Sequence, residues 1–441
     1  MVEQRQFLQR EVFTDKGVHA VKVSRNLIAL LTLLLVVGLV LAACGGGTTT
    51  TTGTPSSDTT AGPSSDTTAA PAGEPITVKI GAAGPFTGDL GKIGTDALQA
   101  IQMAVDDYNA SGKGGNITFA VEVGDDAADP AKAATVAEKF ASDEAVVGVV
   151  GSMTSAAVQA ALPILDGVSL AQLTQSATND KLSQGGYKIF HRICPTDGVQ
   201  GPSIAQFMVN TLKVKNAFLI DDKGTYGQGL ADSVEAGLKA GGITDIQRAQ
   251  IAATDKDFSS VLSKVKEMNP SILFVAIPSP AQAAAMAKQM QSMGFKVQMM
   301  GGDGMKDATE LIANAGGATE GTYATSLGPM PETVDAAQLF LQQYIAKYKE
   351  TSLFTAQSYE AANIMMDAVV AAGVKDGKVD RAAVNTALGA TNATGILGFP
   401  VAFTEQGDLK GGGIYIIQVK GDAFVPVEAI TLAPPFGNTA P

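Results

Sequence analysis

Short apolar runs alternate with amphipathic stretches through most of the chain. The first of these runs lie at 76–83, 117–123 and 146–150. Each is typical of a buried strand. The stretch after the first run carries Leu98, Ile101, Val105 and Tyr108 at helical spacing, which predicts a helix packed against a sheet. Strand and helix patterns then follow one another, and this order predicts an α/β fold with a parallel sheet covered by helices.

A second series of the same kind begins after Arg192, so we expect two similar lobes. Its predicted strands lie at 217–221, 272–277 and 297–300, and its predicted helices at 199–212, 230–240, 258–268 and 281–293. The end of the chain differs, with helices predicted at 336–348, 359–372 and 381–388 and a strand at 399–403. A final hairpin of 415–419 and 424–427 is predicted around Lys420-Gly421-Asp422.

The N-terminal part of the chain has the pattern of an exported protein. Residues 27–43 are uncharged and follow Lys22 and Arg25, and this run is short for a membrane span. We predict an export signal, with a signal anchor as the alternative. The run closes with LAACG, which resembles the bacterial lipobox and makes Cys44 the expected lipid attachment site. The Thr-, Ser-, Gly- and Pro-rich tract 45–75 predicts a disordered tether.

Composition narrows the class of protein. A chain of 441 residues is long for one core, so two domains are expected. The formal net charge of −12 argues against a nucleic-acid partner, because no stripe of Lys and Arg is available to neutralise phosphates. The two cysteines, Cys44 and Cys194, are far apart and form no CxxC motif. They predict neither a disulfide framework nor a zinc site.

The stretch 146–180 contains the main candidate for a binding site. Hydroxyl side chains follow two consecutive predicted strands: Ser152, Thr154 and Ser155 after the first, and Thr174, Ser176 and Thr178 after the second. At the carboxyl ends of parallel strands, hydroxyls and the N–H groups of a helix start can hold an anion such as a carboxylate. Taken singly, each residue is more often a helix cap or a turn former, and that alternative stays open.

Motifs for catalysis and nucleotide binding do not fit the chain. The glycines of GPFTGDLGKIG have neither the dinucleotide nor the phosphate-loop spacing. His191 is the single histidine after the export signal, and no GxSxG motif is present, so triad chemistry is excluded unless His191 is the base. The pairs Asp125-Asp126 and Asp221-Asp222 close predicted strands, and we interpret them as solvated loops rather than metal or acid–base sites. We expect no enzyme, metal or cofactor.

Eight motifs in register resemble the leucine/isoleucine/valine-binding proteins of ABC importers over about 76–427. They are VKIGAAGPFTGDLGKIG, DDAADPAKAATVAEKF, VGVVGSMTSAA, SATND, DDKGTYGQGLADSV, DKDFSSVLSKVK, MGGDGM and GFPVAFTEQGDLKG. The resemblance implies a type I periplasmic binding protein: two Rossmann-like lobes joined by a three-strand hinge. The implied organisation is a signal peptide at 1–44, a tether at 45–75, lobe one at 76–196 plus 326–403, lobe two at 197–325 plus 404–428, and a tail at 429–441.

The resemblance also implies a ligand site on the hydroxyl-rich stretch. Ser155 and Thr178 would bind a ligand carboxylate, and Thr178 and the Ser176 carbonyl would lie near its ammonium group. The other lobe would supply Tyr226 and Asp303, the latter where the branched-chain binders carry glutamate. A zwitterion bridging both lobes would draw them together. The resemblance therefore agrees with the hydroxyl clusters on an α-amino acid.

Several positions depart from the family pattern. Ile93 stands at a usually aromatic position and Ser279 where a tyrosine often lines the pocket, which implies a roomier pocket. Ala128 and Thr154 replace the two half-cystines of the family's lobe-one disulfide. Tyr359 matches a tyrosine near the family's cleft, with packing in the core as an equal alternative.

The combined prediction is a monomeric, lipid-anchored, extracytoplasmic protein of the cell surface or periplasm. It would capture an amino acid or a related small carboxylate and deliver it to an ABC permease by closing its lobes. The alternative is a ligand-sensing lipoprotein that signals to a membrane receptor or kinase.

Overall fold

The computed structural model describes residues 74–436. The predicted signal peptide, its lipid site at Cys44 and the tether up to residue 73 lie outside the described residues, as do 437–441 of the predicted tail. A membrane-crossing helix, long and apolar enough to span a bilayer, does not occur between 74 and 436.

A five-stranded parallel sheet is the centre of the first body, which we call lobe one. Its strands are β1 (Ile76–Gly84), β2 (Ile117–Asp125), β3 (Val146–Val150), β4 (Gln172–Thr174) and β5 (Phe190–Arg192). The intervening helices are α1 (Gly91–Ser111), α2 (Pro130–Ser142), α3 (Ser155–Asp166) and α4 (Lys181–Gln184). The strand order is β2-β1-β3-β4-β5, and the wholly apolar β3 is buried along its length, as a central strand covered on both faces must be.

The chain then builds most of a second body, lobe two. Its helices are α5 (Asp197–Asn210), α6 (Thr225–Ala240), α7 (Ser259–Met268) and α8 (Pro280–Ser292). Its strands are β6 (Ala217–Asp221), β7 (Ile246–Gln250), β8 (Ile272–Ala276), β9 (Met299–Gly301) and β10 (Tyr323–Ser326). A 3-10 turn at Asp303–Met305 and a π-helical turn at Ala308–Ala313 follow β9.

The last part of the chain completes both bodies. It adds to lobe one α9 (Gln338–Tyr348), α10 (Thr355–Ala372), α11 (Arg381–Gly389) and a small hairpin of β11 (Asn392–Thr394) and β12 (Pro400–Ala402). It then adds to lobe two the antiparallel hairpin of β13 (Ile414–Lys420) and β14 (Ala423–Ile430). The second sheet has the order β14-β13-β10-β9-β8-β6-β7. The chain thus passes between the lobes three times. The residue limits predicted for the two lobes remain predictions.

The predicted tail begins inside the second sheet. β14 extends to Ile430, and the residues after it pack on lobe two. Gln206 on α5 donates to the Thr431 carbonyl over 2.9 Å and accepts from the Ala433 N–H over 2.8 Å. Phe436 is buried among the apolar side chains of lobe two. The segment up to residue 436 is therefore part of the folded body.

The interpretation of the acidic pairs as solvated loops is wrong for Asp126 and Asp221. Both side chains are fully buried. Asp126 accepts from the Ala128 N–H over 2.8 Å, and Asp221 forms an ion pair with Arg248 over 2.8 Å. Arg248 lies on β7, an edge strand that the sequence pattern does not predict because it is polar and only half-buried. Because β7 has no apolar pattern, the sequence did not indicate that Arg248 pairs with Asp221.

Candidate ligand-binding site

A cavity of about 420 Å³ lies between the two lobes. Lobe one lines it with Leu90, Ile93, Met153, Ser155, Ser176 and the pair Leu353 and Phe354. Lobe two lines it with Asp222, Thr225, Tyr226, Ser279 and Asp303. The volume lies within the range of small-molecule sites in proteins. Polar groups from both lobes therefore line one cavity.

On the lobe-one side, the wall of the cavity includes the first turn of α3. Thr154 caps this helix by accepting from the Ala157 N–H over 3.4 Å. The hydroxyl of Ser155 accepts from the Asn179 N–H over 3.4 Å, and Ser176 donates to the Met153 carbonyl over 2.8 Å. A helix start carries partial positive charge and unpaired N–H groups. This side of the cavity is therefore suited to a carboxylate.

On the lobe-two side, the wall presents a buried carboxyl. Tyr226 donates its hydroxyl to Asp303 Oδ1 over 2.8 Å and accepts from the Gly304 N–H over 3.2 Å. Burial raises the pKa of Asp303 to about 6. Burial, and next the charge of Asp303, raise the pKa of the Tyr226 hydroxyl, which therefore stays protonated as a donor. A cation that binds in the cavity would stabilise the charged form of Asp303 and offset the cost of its burial.

Hydrogen bonds and an ion pair join the lobes beside the cavity. The Asn179 amide donates to the Thr225 carbonyl over 2.7 Å, and the Thr225 hydroxyl donates to Gln159 Oε1 over 3.1 Å. Lys256 of lobe two pairs with Asp89 of lobe one over 2.8 Å. These contacts partly enclose the space between the lobes.

The structure brings most of the predicted site residues to this cavity. Those that line it are Ile93, Ser155, Ser176, Tyr226, Ser279 and Asp303. Thr178 is fully buried and is not among the lining residues; its carbonyl accepts from the Asp197 N–H over 2.9 Å. Tyr359 also lies elsewhere, because its ring packs 4.5 Å from that of Phe340 and its hydroxyl donates to Asp107 over 3.0 Å. For Tyr359 the core alternative is the one observed.

Sequence reasoning missed an apolar part of the wall, Leu353 and Phe354. Phe354 has a φ of 68°, which is uncommon for a residue with a bulky side chain and is often a mark of a functional position. The helix predicted at 359–372 begins four residues too late. The observed α10 begins at Thr355, so Leu353 and Phe354 lie directly before its first turn. The absence of a side-chain cap before α10 is visible only in the structure, so the sequence has no local signal that marks this pair.

The raised pKa of Asp303 predicts a pH dependence of stability. Its pKa is about 6 in the folded protein and about 3.9 in an unfolded chain. The carboxyl therefore favours the folded state fully below about pH 4, and this contribution is lost as the pH rises through about 6. Urea unfolding of ligand-free protein should show a loss of unfolding free energy over this range that Asp303→Asn lacks. Burial also raises the pKa of Asp197, which contributes to the same pH dependence. The contribution of Asp303 is therefore the difference in unfolding free energy between the wild-type protein and Asp303→Asn at each pH. Identical pH profiles would contradict it.

Comparison with known proteins identifies the family. The family model described as "Periplasmic binding protein" matches residues 77–423. The leucine-specific-binding protein of Salmonella typhimurium is 31% identical over 363 residues, covering 78% of this chain and 91% of that protein. The leucine-, isoleucine-, valine-, threonine-, and alanine-binding protein of Pseudomonas aeruginosa is 31% identical over 352 residues, covering 79% of this chain and 91% of that protein.

Solved structures agree on the fold. The structure of a leucine binding protein from Thermotoga maritima has a TM-score of 0.73 at 25% identity and covers 80% of this chain and 98% of that chain. A branched-chain amino acid transporter substrate binding protein from Streptococcus pneumoniae, solved with isoleucine, has a TM-score of 0.72 at 24% identity, covering 80% of this chain and 99% of that chain. The chain belongs to the periplasmic binding protein family, among the leucine/isoleucine/valine-binding proteins, and has the type I fold.

Proposed function

We propose that this protein is an extracytoplasmic lipoprotein that binds an α-amino acid between its lobes and delivers it to an ABC permease. The observation that carries the proposal is one cavity with a helix start on one side and a buried carboxyl on the other. Ser155 and the first N–H groups of α3 would bind the ligand carboxylate. Asp303 and Tyr226 would bind its ammonium group.

The charges of the cavity wall support an amino acid over a ligand with net negative charge. Three acids, Asp89, Asp222 and Asp303, line the cavity, whereas among the described residues no Lys, Arg or His does so. A dicarboxylate would have no basic side chain to bind. An ammonium group would offset the charge of an acid that is otherwise buried. The excess of acids therefore favours a ligand that carries a cation.

The remaining predicted residues have separate roles in the proposal. Ile93 and Ser279 would contact the ligand side chain, together with the apolar Phe354. Ser176 and Thr178 would complete the carboxylate side, Ser176 at the wall and Thr178 from the loop beside it. Because the ligand would bind groups of both lobes, it would favour the arrangement in which the lobes are in contact. This closure needs no covalent step.

A larger side chain at Ile93 should change which amino acids bind. Ile93 is buried and lines the cavity, so in Ile93→Phe the added ring would occupy ligand space. Overpacking costs about 1–3 kcal/mol, which is roughly 5- to 150-fold in affinity for a bulky ligand. We expect alanine and threonine to lose much less affinity than leucine and phenylalanine, measured by calorimetry. An unchanged order of affinities would show that Ile93 does not contact the ligand side chain.

The lipid anchor is tested separately from the ligand. Cys44 closes the apolar run in LAACG and is the expected attachment site. In Cys44→Ser, the protein should move from the membrane fraction to the soluble fraction and lose label from a radioactive fatty acid. Retention of label by the variant would show that Cys44 is not the lipidated residue.

A thermal-shift screen tests the proposed ligand class. The protein is unfolded and refolded to remove bound ligand and is then mixed with leucine, isopentylamine or 4-methylpentanoate. A ligand at a hundred times its dissociation constant adds about 2.7 kcal/mol of stability. We expect a shift of several degrees with one or more α-amino acids and none with the matched amine or acid. A shift with the deaminated acid alone would contradict the role of Asp303.

A further inference from the structure

Gln282 is a buried amide in the first turn of α8, on the lobe-two wall of the cavity. Only 3% of its surface is exposed. Its Nε2 donates to the carbonyls of Ala252, Ala253 and Asp255 over 3.4, 2.9 and 3.0 Å. Carbonyls accept hydrogen bonds and cannot donate them, so these contacts fix which end of the amide carries the nitrogen. The amide oxygen therefore points away from this loop.

The oxygen of this amide is free to accept a hydrogen bond. Residues 279–282, SPAQ, would allow a capping box, in which the glutamine oxygen accepts from the Ser279 N–H. The structure forms one half of it, since Ser279 Oγ accepts from the Gln282 N–H over 3.3 Å. Within residues 74–436 nothing donates to Gln282 Oε1, and this atom is not fully enclosed by protein. Because Gln282 lines the cavity, its oxygen is open to a ligand.

Ser279 supplies a donor beside this acceptor. It also lines the cavity and is buried. Its oxygen caps α8, but the hydroxyl proton takes no part in that bond and is donated to no other group in the described part of the chain. One free donor and one free acceptor thus lie side by side at the start of α8.

The two groups lie beside the proposed ammonium site. A Cβ atom placed on Gly304, the residue after Asp303, would lie 2.6 Å from the Ile277 carbonyl oxygen and 3.0 Å from Pro278 Cα. The turn that leads into α8 is therefore packed on the segment that carries Asp303. An amino acid with its ammonium group on Asp303 would have its side chain within reach of the donor and the acceptor on α8.

We infer that Ser279 and Gln282 form a polar subsite for the ligand side chain, and that the ligand is an amino acid with a neutral amide side chain. The inference rests on the proposed function, which places the ammonium group on Asp303. An amide has its donor and its acceptor on separate atoms, so its nitrogen can donate to Gln282 Oε1 while its oxygen accepts from Ser279. An apolar side chain would cover both groups without pairing them, at the desolvation cost of each. A carboxylate has no proton to donate to Gln282.

Gln289 provides a matched control on the same helix. Its amide braces the same loop, because Oε1 accepts from the Phe258 N–H over 2.7 Å and Nε2 donates to the Lys256 carbonyl over 2.8 Å. Gln289 is not among the residues that line the cavity. Replacing either glutamine by methionine removes a brace from this loop, but only Gln282→Met also removes a polar group from the cavity wall. A purely structural role predicts the same effect of both variants on ligand preference.

The test compares amides with apolar amino acids of similar size, by calorimetry on the full-length protein refolded to remove bound ligand. The pairs are asparagine with leucine and glutamine with methionine. We expect the wild-type protein to bind the amide of at least one pair about tenfold or more tightly than its apolar partner, because the apolar one leaves buried polar groups unpaired. Gln282→Met should abolish this preference and Gln289→Met should keep it. Since the preference is a ratio within one protein, a general loss of affinity cancels.

A second variant and the other outcomes complete the test. Ser279→Ala should reduce the preference less than Gln282→Met does, and it serves if Gln282→Met does not fold. Tighter or equal binding of the apolar partners by wild type, an unchanged preference in both cavity variants, or its loss in Gln289→Met overturns the inference and leaves the proposed function in place. Tighter binding of lysine or arginine than of either amide also overturns it, because the acids of the cavity would then bind a cationic side chain. If no amino acid binds at all, the proposed function fails and the subsite fails with it.

Discussion

Replacing Asp303 by asparagine should weaken amino-acid binding by roughly 30- to 4,000-fold while the protein remains folded. Removing one partner of a buried charge pair costs about 2–5 kcal/mol, and each 1.4 kcal/mol is tenfold in affinity. Asparagine keeps the shape of the side chain, and its oxygen can still accept from the Tyr226 hydroxyl. The loss therefore reports the charge and not a collapse of the wall. Calorimetry with the best ligand of the screen measures it.

Asp222 provides the control for this variant. It lines the same cavity from the same lobe, and its carboxylate accepts from the Gly224 N–H over 2.9 Å. Asp222→Asn should change affinity only a few-fold. Wild-type affinity should also fall about tenfold per pH unit below pH 6, where Asp303 is protonated, and Asp303→Asn should lack this dependence. Equal losses of affinity in Asp303→Asn and Asp222→Asn would show that the ammonium group does not bind specifically to Asp303.

Asp408→Ala should lower the free energy of unfolding by about 3 kcal/mol, because it leaves the charge of Arg192 buried without a partner. Arg192 is 0% exposed and binds Asp408, itself 24% exposed, over 2.6 Å. Its Nη1 donates to the Ala177 and Asn179 carbonyls over 3.0 and 2.9 Å, and its Nη2 donates to the Ser183 hydroxyl over 3.0 Å. The partial exposure of Asp408 places the expected loss at the low end of the usual range for buried pairs. Urea unfolding measures it as a lower midpoint with an unchanged slope.

Two comparisons decide whether the buried charge is the cause. Arg192→Met in the Asp408→Ala background removes the unpaired charge, so the double variant should be more stable than Asp408→Ala alone. Glu144→Ala removes an exposed partner of Lys378 and should give no measurable change. A double variant less stable than the single one would show that packing, rather than charge, holds this region together.

The sequence predicted those elements whose signals are local. Strands β3 and β6 have the predicted limits, because apolar runs with clear ends mark strands buried on both faces. The start of α2 at Pro130 has a local cause of the same kind, because Asp129 caps the helix by accepting from the Ala131 and Lys132 N–H groups. Such residues determine the local backbone whatever the rest of the chain does.

Elements that depend on distant partners were missed. β7 is a polar edge strand that exists because it pairs with β6 and places Arg248 on Asp221. α6 begins at Thr225, five residues before the predicted start, although glycines at 227 and 229 weaken the helical pattern there. The hydroxyl clusters could be predicted, since they follow consecutive strands. The contact of Gln200 with the backbone of Asp303 could not be predicted, because the two residues come near each other only in the folded lobe.

The interleaved connectivity of the lobes also sets when the chain can fold during synthesis. Met365 on α10 is fully buried in the core of lobe one, and its sulfur would lie 2.4 Å from a Cβ atom placed on Gly148 in β3. All of lobe two except its last hairpin is synthesised between β3 and α10. A nascent chain that stops before α10 has the five-stranded sheet without one of its covering helices, so its apolar face is unprotected. The core of lobe one therefore cannot be completed until α10 has been synthesised, after nearly all of lobe two.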